Sequence, residues 1–507
     1  GKNTAIGYEA LQDLDAGGDA NNTAVGYTAG ANLTTGDDNT LVGAFTGDAL
    51  TTGARNTALG YTALGSEDTG SRNVAIGYNS LSALNFDGVT YNTAVGYNSG
   101  GSITTGSANT IVGGLAGDGI TTGTVNTIVG YTAGTNLETG SENVIIGSAA
   151  MNSANGSESR NVAIGTNALA SMDSDTNNYN VAIGFEAGKA VTTGTLNTLI
   201  GSLAGDALTE GDNNVAVGYN ALTSETLGDR NIAVGRGALQ NQNNTSSIDA
   251  YNVAVGYEAG NSVTTGVQNI IVGGNAGNSL TTGTRNIAIG QSALASEDAG
   301  GHNVAVGHLA LQDQDAGDAY NVAVGSNAGK EVTTGMRNTI MGGLTGDALT
   351  TGSDNVAIGY GALSAEDTGG KNVAVGRGAL GTLDVGGDGY NVALGYFSGT
   401  AMTTGNSNVT IGYNCAHQLT TGDSNVVIGT NAMIAANGSE ARNVAIGSGA
   451  LAAMDNDGSN YNVAVGYNAG NDITTGTQNT IIGGLAGDAL TTGGGNVAIG
   501  YGALGSE

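Results

Sequence analysis

Carboxylates two residues apart recur along this sequence: Asp13 with Asp15, Asp173 with Asp175, Asp313 with Asp315, and Asp455 with Asp457. Each pair lies among Asn, Gln, Gly, Ser or Ala, so side-chain and backbone oxygens crowd into a short stretch of chain. Hard oxygen donors are what calcium prefers, and these eight aspartates are the candidate calcium ligands. A bound cation would also relieve repulsion in a chain of formal net charge -30. The simpler alternative is that acidic turns are solvated loops. The pattern is also uneven: the stretch at Asn243 and Asn244 offers only Asp249, and the next carries Asp384 and Asp388 at a wider spacing. Beyond calcium, no cofactor is expected.

Other chemistry-bearing residues are sparse. The three histidines, His302, His308 and His417, follow no metal-ligand spacing. His302 and His308 are near enough in sequence to meet, but exposed variable side chains are the plainer reading. The single cysteine, Cys415, permits no intramolecular disulfide. It takes a place that other repeats give to Ala, Ser or Thr, which points to packing rather than reactivity. Carboxylates are numerous enough to pair for glycoside hydrolysis. Catalysis, however, needs a unique concave site, and near-identical repeats offer no unique place. No catalytic residue is assigned, and the chain is not expected to be an enzyme.

One repeated element positions all these groups. The motif N-[TVI]-x-[VIL]-G opens as Asn3-Thr4-Ala5-Ile6-Gly7 and occurs in 29 copies, the last at Asn496, at spacings of 17 to 21 residues. Taking the Asn as place one, place two is always Thr, Val or Ile. Place four is Val, Ile, Leu or, once, Met341. Alternation of this kind marks a strand whose second and fourth residues share a face. Place three is Ala in 19 copies and otherwise mainly Ile or Leu, so the opposite face is apolar too. The larger residues at two and four are expected to point into the chain's interior, and the Ala at three toward a neighbouring layer or chain. Gly at place five is invariant and reads as a corner where the backbone turns or approaches another chain closely.

The second half of each repeat has two versions. One has Leu at place nine, as in Ala63-Leu64. The other has Gly at nine and its aliphatic residue at twelve, as in Gly30 followed by Leu33-Thr34-Thr35-Gly36. Both supply one large apolar group to the same layer of core. The versions alternate in pairs, giving a super-repeat of four rungs about 70 residues long. The second rung of each quartet has a longer loop ending in Tyr-Asn, as at Tyr179, Tyr251, Tyr320, Tyr390 and Tyr461. Places three and six also trade size: Ile111 goes with Gly114, whereas Ala5 goes with Tyr8, which suggests a volume shared between them. The fold expected is all-β, a parallel β-solenoid or β-roll of about 29 stacked rungs. Residues 1–507 form one continuous array that starts and stops inside a repeat and reads as a segment of a longer fibre.

Composition agrees. With 91 Gly, no Pro, no Trp and four Phe, a conventional core of large side chains is excluded. The 39% of hydrophobic residues is too high for a disordered linker. Thirteen Lys and Arg against 43 Asp and Glu leave no basic footprint for nucleic acid. An anionic membrane surface would repel the chain, and no apolar run approaches the length of a transmembrane helix.

Asn73-Val74-Ala75-Ile76-Gly77 and Asn496-Val497-Ala498-Ile499-Gly500 stand in the register of Ser-Val-Ala-Ile-Gly, the signature of trimeric autotransporter adhesin head repeats, which this chain resembles. It is also similar to repeat arrays of phage tail fibres. The resemblance spans the whole chain, although the family's rungs are shorter and carry Ser where this chain has Asn. It implies a left-handed parallel β-roll, three chains side by side, and a place on the cell or virion surface. A structural fibre or adhesin shaft is therefore expected, self-associating as a homotrimer and presenting loops to a host glycan or protein. A carbohydrate-processing solenoid of the tailspike type and an ice-binding solenoid are the alternatives.

Overall fold

A computed structural model describes residues 1–505 as a parallel β-solenoid of 29 turns, each with one strand of three residues, from β1 (Thr4–Ile6) to β29 (Val497–Ile499). No helix occurs among the described residues. The chain divides into two compact units, Gly1–Asn252 and Val253–Glu507. In each unit every strand pairs in parallel with the next and in strict register. Thr4 lies opposite Thr23 in the first unit, and Val253 opposite Ile270 in the second. Like residues therefore form columns along each unit, one residue per rung. Rung-to-rung hydrogen bonds continue around the turns, as from Gly30 N to Thr46 O at 3.0 Å and from Thr34 N to Thr51 O at 2.8 Å.

The faces of the strand are the reverse of the sequence expectation. Place three points into the chain: Ala24, Leu41, Ala75 and Ile111 are fully buried. Places two and four point outward, half-buried or exposed, as at Val112, Ile200 and Ile289. Both faces are apolar, so hydrophobicity could not decide between them; size did, in the wrong direction. The interior is one thin layer already occupied by Leu64 or Leu33, and Ala is what fits beside them.

The trade between places three and six has a different cause as well. Place six faces solvent, while the bulky residues at three fill the space left by Gly at place nine. A Cβ on Gly30 would lie 2.7 Å from Leu41 Cδ1 and 3.1 Å from Leu11 Cδ2, and one on Gly100 would lie 3.1 Å from Ile111 Cδ1 and 3.2 Å from Leu81 Cδ2. Leu at nine in the rung before and a bulky residue at three in the rung after thus share the room above each glycine. This complementarity is the physical basis of the paired alternation. Leu33 and Leu64, expected in one layer of core, are both buried there.

Two backbone devices hold the turn. Gly at place five has φ near +140°, as at Gly7 and Gly43, a region open essentially to glycine alone. A Cβ on Gly7 would also run into the carbonyl oxygen of Gly26 in the next rung. The close approach foreseen at this corner is thus between rungs of one chain. The Asn at place one is buried, and its amide joins two rungs. Asn39 Oδ1 accepts from Asn56 N at 2.9 Å, while Asn39 Nδ2 donates to Gly53 O, at the end of its own rung, at 3.0 Å. An Asn here satisfies two buried backbone groups at once, which explains why the motif begins with it.

Candidate functional site

Two features stand out from this regular frame. The first is the outward strand face. Places two and four hold only Thr, Val, Ile, Leu and Met341 in all 29 rungs, so the face carries no charge. It is flanked by two columns. On one side, place six forms an aromatic row: Tyr8 stacks on Tyr27 with ring centroids 5.2 Å apart, and Tyr61 on Tyr78 at 5.4 Å. Stacking hides the ring faces and leaves their edges to solvent, so the row is no open platform for a sugar ring.

On the other side is the residue that precedes each Asn, held at positive φ from Asn21 onward. Lys2, Arg55, Arg72, Arg160 and Arg230 of the first unit occupy this column, as do Arg285, Arg337, Lys371 and Arg442 of the second. They are nine of the chain's 13 Lys and Arg; Arg236 and Arg377 stand at place six. The same four columns contain only Asp38, Glu142 and Asp354 out of 43 acidic residues. The tyrosines that close the long loops belong to the cationic column too. All but Tyr320, which meets His302, receive the cation of the rung before on the ring, as with Arg160 over Tyr179 at 5.5 Å and Lys371 over Tyr390 at 5.1 Å. Such pairs contribute about 0.5–1 kcal/mol each when exposed.

The second feature is a set of buried glutamates. Glu67, Glu225, Glu297 and Glu366 stand at place twelve in the first leucine-type rung of a pair, where most other rungs place Leu, Ile, Val, Met or Ala and two place Gln. Glu158 and Glu440 are buried nearby, at place sixteen. Each lies beneath the long loop of the following rung, and the local solutions differ. Glu67 accepts from Gly70 N at 2.6 Å and Phe86 N at 3.4 Å. Glu158 accepts from Gly156 N and Ser174 N, both at 3.1 Å. Glu225 takes Gly228 N at 2.8 Å, and Gln242 Nε2 and Asn244 Nδ2 at 2.9 Å each. Glu297 accepts from Gly300 N at 2.6 Å, but its Oε2 is buried without a hydrogen-bond partner. Burial pushes the carboxyls of Glu67 and Glu366 above their ordinary range and that of Glu297 up to about 7.

Of the eight aspartates proposed as calcium ligands, the structure brings one into a cluster. Asp315, Asp298 and Glu297 each present a carboxylate oxygen within 4.8 Å of the others, and Glu366, Asp367 and Asp384 repeat the arrangement. Asp13, Asp15, Asp173, Asp175, Asp313, Asp455 and Asp457 join no such three-carboxylate group among the described residues. Asp457 Oδ1 instead accepts from Ser439 N at 2.8 Å. The glutamates went unrecognised although the sequence held their signal, a carboxylate recurring at a place that is apolar in most rungs.

His302 stacks on Tyr320 at 4.8 Å, with its Nδ1 3.5 Å from Asp318, whereas His308 stands at place six, beyond the strand Val304–Val306. Cys415 is buried, its Sγ donating to Val427 O at 2.9 Å, and burial pushes its thiol up to about 12, as befits a packing residue. A surface groove of about 550 Å³ opens beside Phe45, Tyr61 and Asn79; Asp48 is the one carboxylate in its lining, and glycoside hydrolysis takes two. No helix among the described residues is long and apolar enough to cross a membrane. No protein-family model matches the chain, and no curated protein matches it.

Proposed function

We propose that the chain is a structural fibre segment whose copies associate side by side through their strand faces, as a homotrimer on the surface of a cell or virion. The observation that carries this reading is the separation of charge. Copies of a chain at -30 repel one another, and they approach at least cost where carboxylates are absent. The strand face and its two flanking columns are that place: apolar in the centre, aromatic on one side, cationic on the other. In a rotational assembly the contact is head-to-tail, so the cationic column of one copy meets the acidic loops of the next. At about 4.8 Å per strand and 3.3 Å per residue, the face and its flanking columns cover roughly 65 by 20 Å in the 14-stranded first unit. That is about 1,300 Å², against roughly 800 Å² per partner in a standard interface. The resemblance to adhesin head repeats and tail-fibre arrays supports three chains and an external setting. The loops on the other faces then meet a host glycan or protein.

Three substitutions on the face test this. Val112→Glu, Ile200→Glu and Ile289→Glu replace outward residues and leave the interior untouched. The triple variant is expected to keep its β circular dichroism and to dissociate into single chains. An associated variant with its mass unchanged would overturn the assignment of the interface.

A further inference from the structure

We infer that the leucine-type rungs starting at Asn286 and Asn303 hold a calcium site formed by Glu297, Asp298 and Asp315. Acidic clusters on a surface are common and need no ion. What distinguishes this one is Glu297, buried at the base of the cluster with Oε2 unpartnered. A buried acceptor left without a donor is costly, and buried charges are normally paired or bound to a metal.

The chain supplies its own comparison. At Glu225 the surroundings are Thr226 and Asn243 at place thirteen of the two rungs, with Gln242 and Asn244 beside them. There the amide nitrogens of Gln242 and Asn244 donate to the carboxylate, each at 2.9 Å. At Glu297 both place-thirteen residues are aspartates, and Gln314, the counterpart of Gln242, is turned away. Its Nε2 donates to Thr333 O at 3.2 Å and its Oε1 accepts from Asn321 Nδ2 at 2.6 Å. At Glu366 both are again aspartates and Leu383 replaces the glutamine, but Gly369 N donates to Oε1 at 2.6 Å and Val385 N to Oε2 at 3.3 Å, so neither oxygen is orphaned. At Glu297 the amide donors are lost and two carboxylates stand in their stead. The exchange of donors for acceptors around a buried carboxylate makes sense if a cation occupies the centre.

The dimensions suit calcium. Two oxygens each about 2.4 Å from one ion are at most about 4.8 Å apart, and calcium accepts six to eight oxygen ligands, leaving positions for water. The three carboxylate oxygens lie within 4.8 Å of one another. Each cluster lies within two adjacent rungs of one chain, so the site does not depend on how copies associate.

Calorimetric titration of the full chain with calcium chloride tests the inference, with thermal unfolding in calcium or chelator as a second readout. One equivalent is expected to bind and to raise the melting temperature, and Asp315→Asn is expected to remove both the binding and the thermal response. This side chain lies at the outer edge of its rung, so the metal-free variant should melt no lower than the metal-free parent. Absence of binding, a stoichiometry that Asp315→Asn leaves unchanged, or an equal thermal response to magnesium at matched ionic strength would each overturn it.

Discussion

At the scale of single residues, the side chains that matter most are those whose place contradicts their type. Glu67 is a carboxylic acid at a position that most rungs give to an apolar residue, and burial raises its pKa above the ordinary 4.5. A carboxyl raised in the folded state favours folding below its unfolded pKa, and that contribution is lost as pH rises through the folded value. Glu67→Gln removes the titration while keeping an oxygen for Gly70 N. Relative to the parent, the variant is expected to gain stability as pH rises from 4 toward 8, read from denaturation midpoints; a constant difference across that range would refute the burial account. Alternation made the strand and its register legible in the sequence. It could not assign the faces, because Ala, Val and Ile are all apolar and the thin interior selects for the smallest. The buried Asn was visible as an invariant letter, but its bridging of two rungs depends on backbone geometry that sequence does not display.

At the scale of the rung, stability rests on neighbours. Leu81 of one rung fills room above Gly100 of the next, and Ile111 of the third fills it from the other side. Leu81→Ala should therefore open a cavity shared by two rungs and cost about 2–4 kcal/mol, measured by chemical denaturation. Because each rung contacts only adjacent ones, hydrogen exchange should quicken around rungs 73 and 92 and remain unchanged several rungs away. A uniform change along the chain would contradict nearest-neighbour stacking. The two rung types and their quartet period were legible in the sequence because insertions and Leu-for-Gly exchanges leave plain marks. Their interlocking was not, since it joins residues on three successive rungs. The long loops were legible as acidic turns, but the glutamate under each was needed to tell a solvated turn from a clustered one. Asp313 and Asp315 look equivalent in the sequence, yet only Asp315 falls in the column that stacks on Asp298.

At the scale of the molecule, the governing quantity is the distribution of charge. A formal -30 describes the chain as uniformly anionic, whereas 11 of its 13 cations and only three of its 43 acids lie on or beside the strand face. That asymmetry became visible only once the outward columns were known, and the proposal that like copies meet through this face rests on it. The central claim is that this face is covered by other copies of the chain. Sedimentation equilibrium at near-physiological salt tests it most directly. A mass three times that of the 49.5 kDa chain, independent of concentration over the micromolar range, is the result expected. A stable single-chain mass under the same conditions would contradict the account.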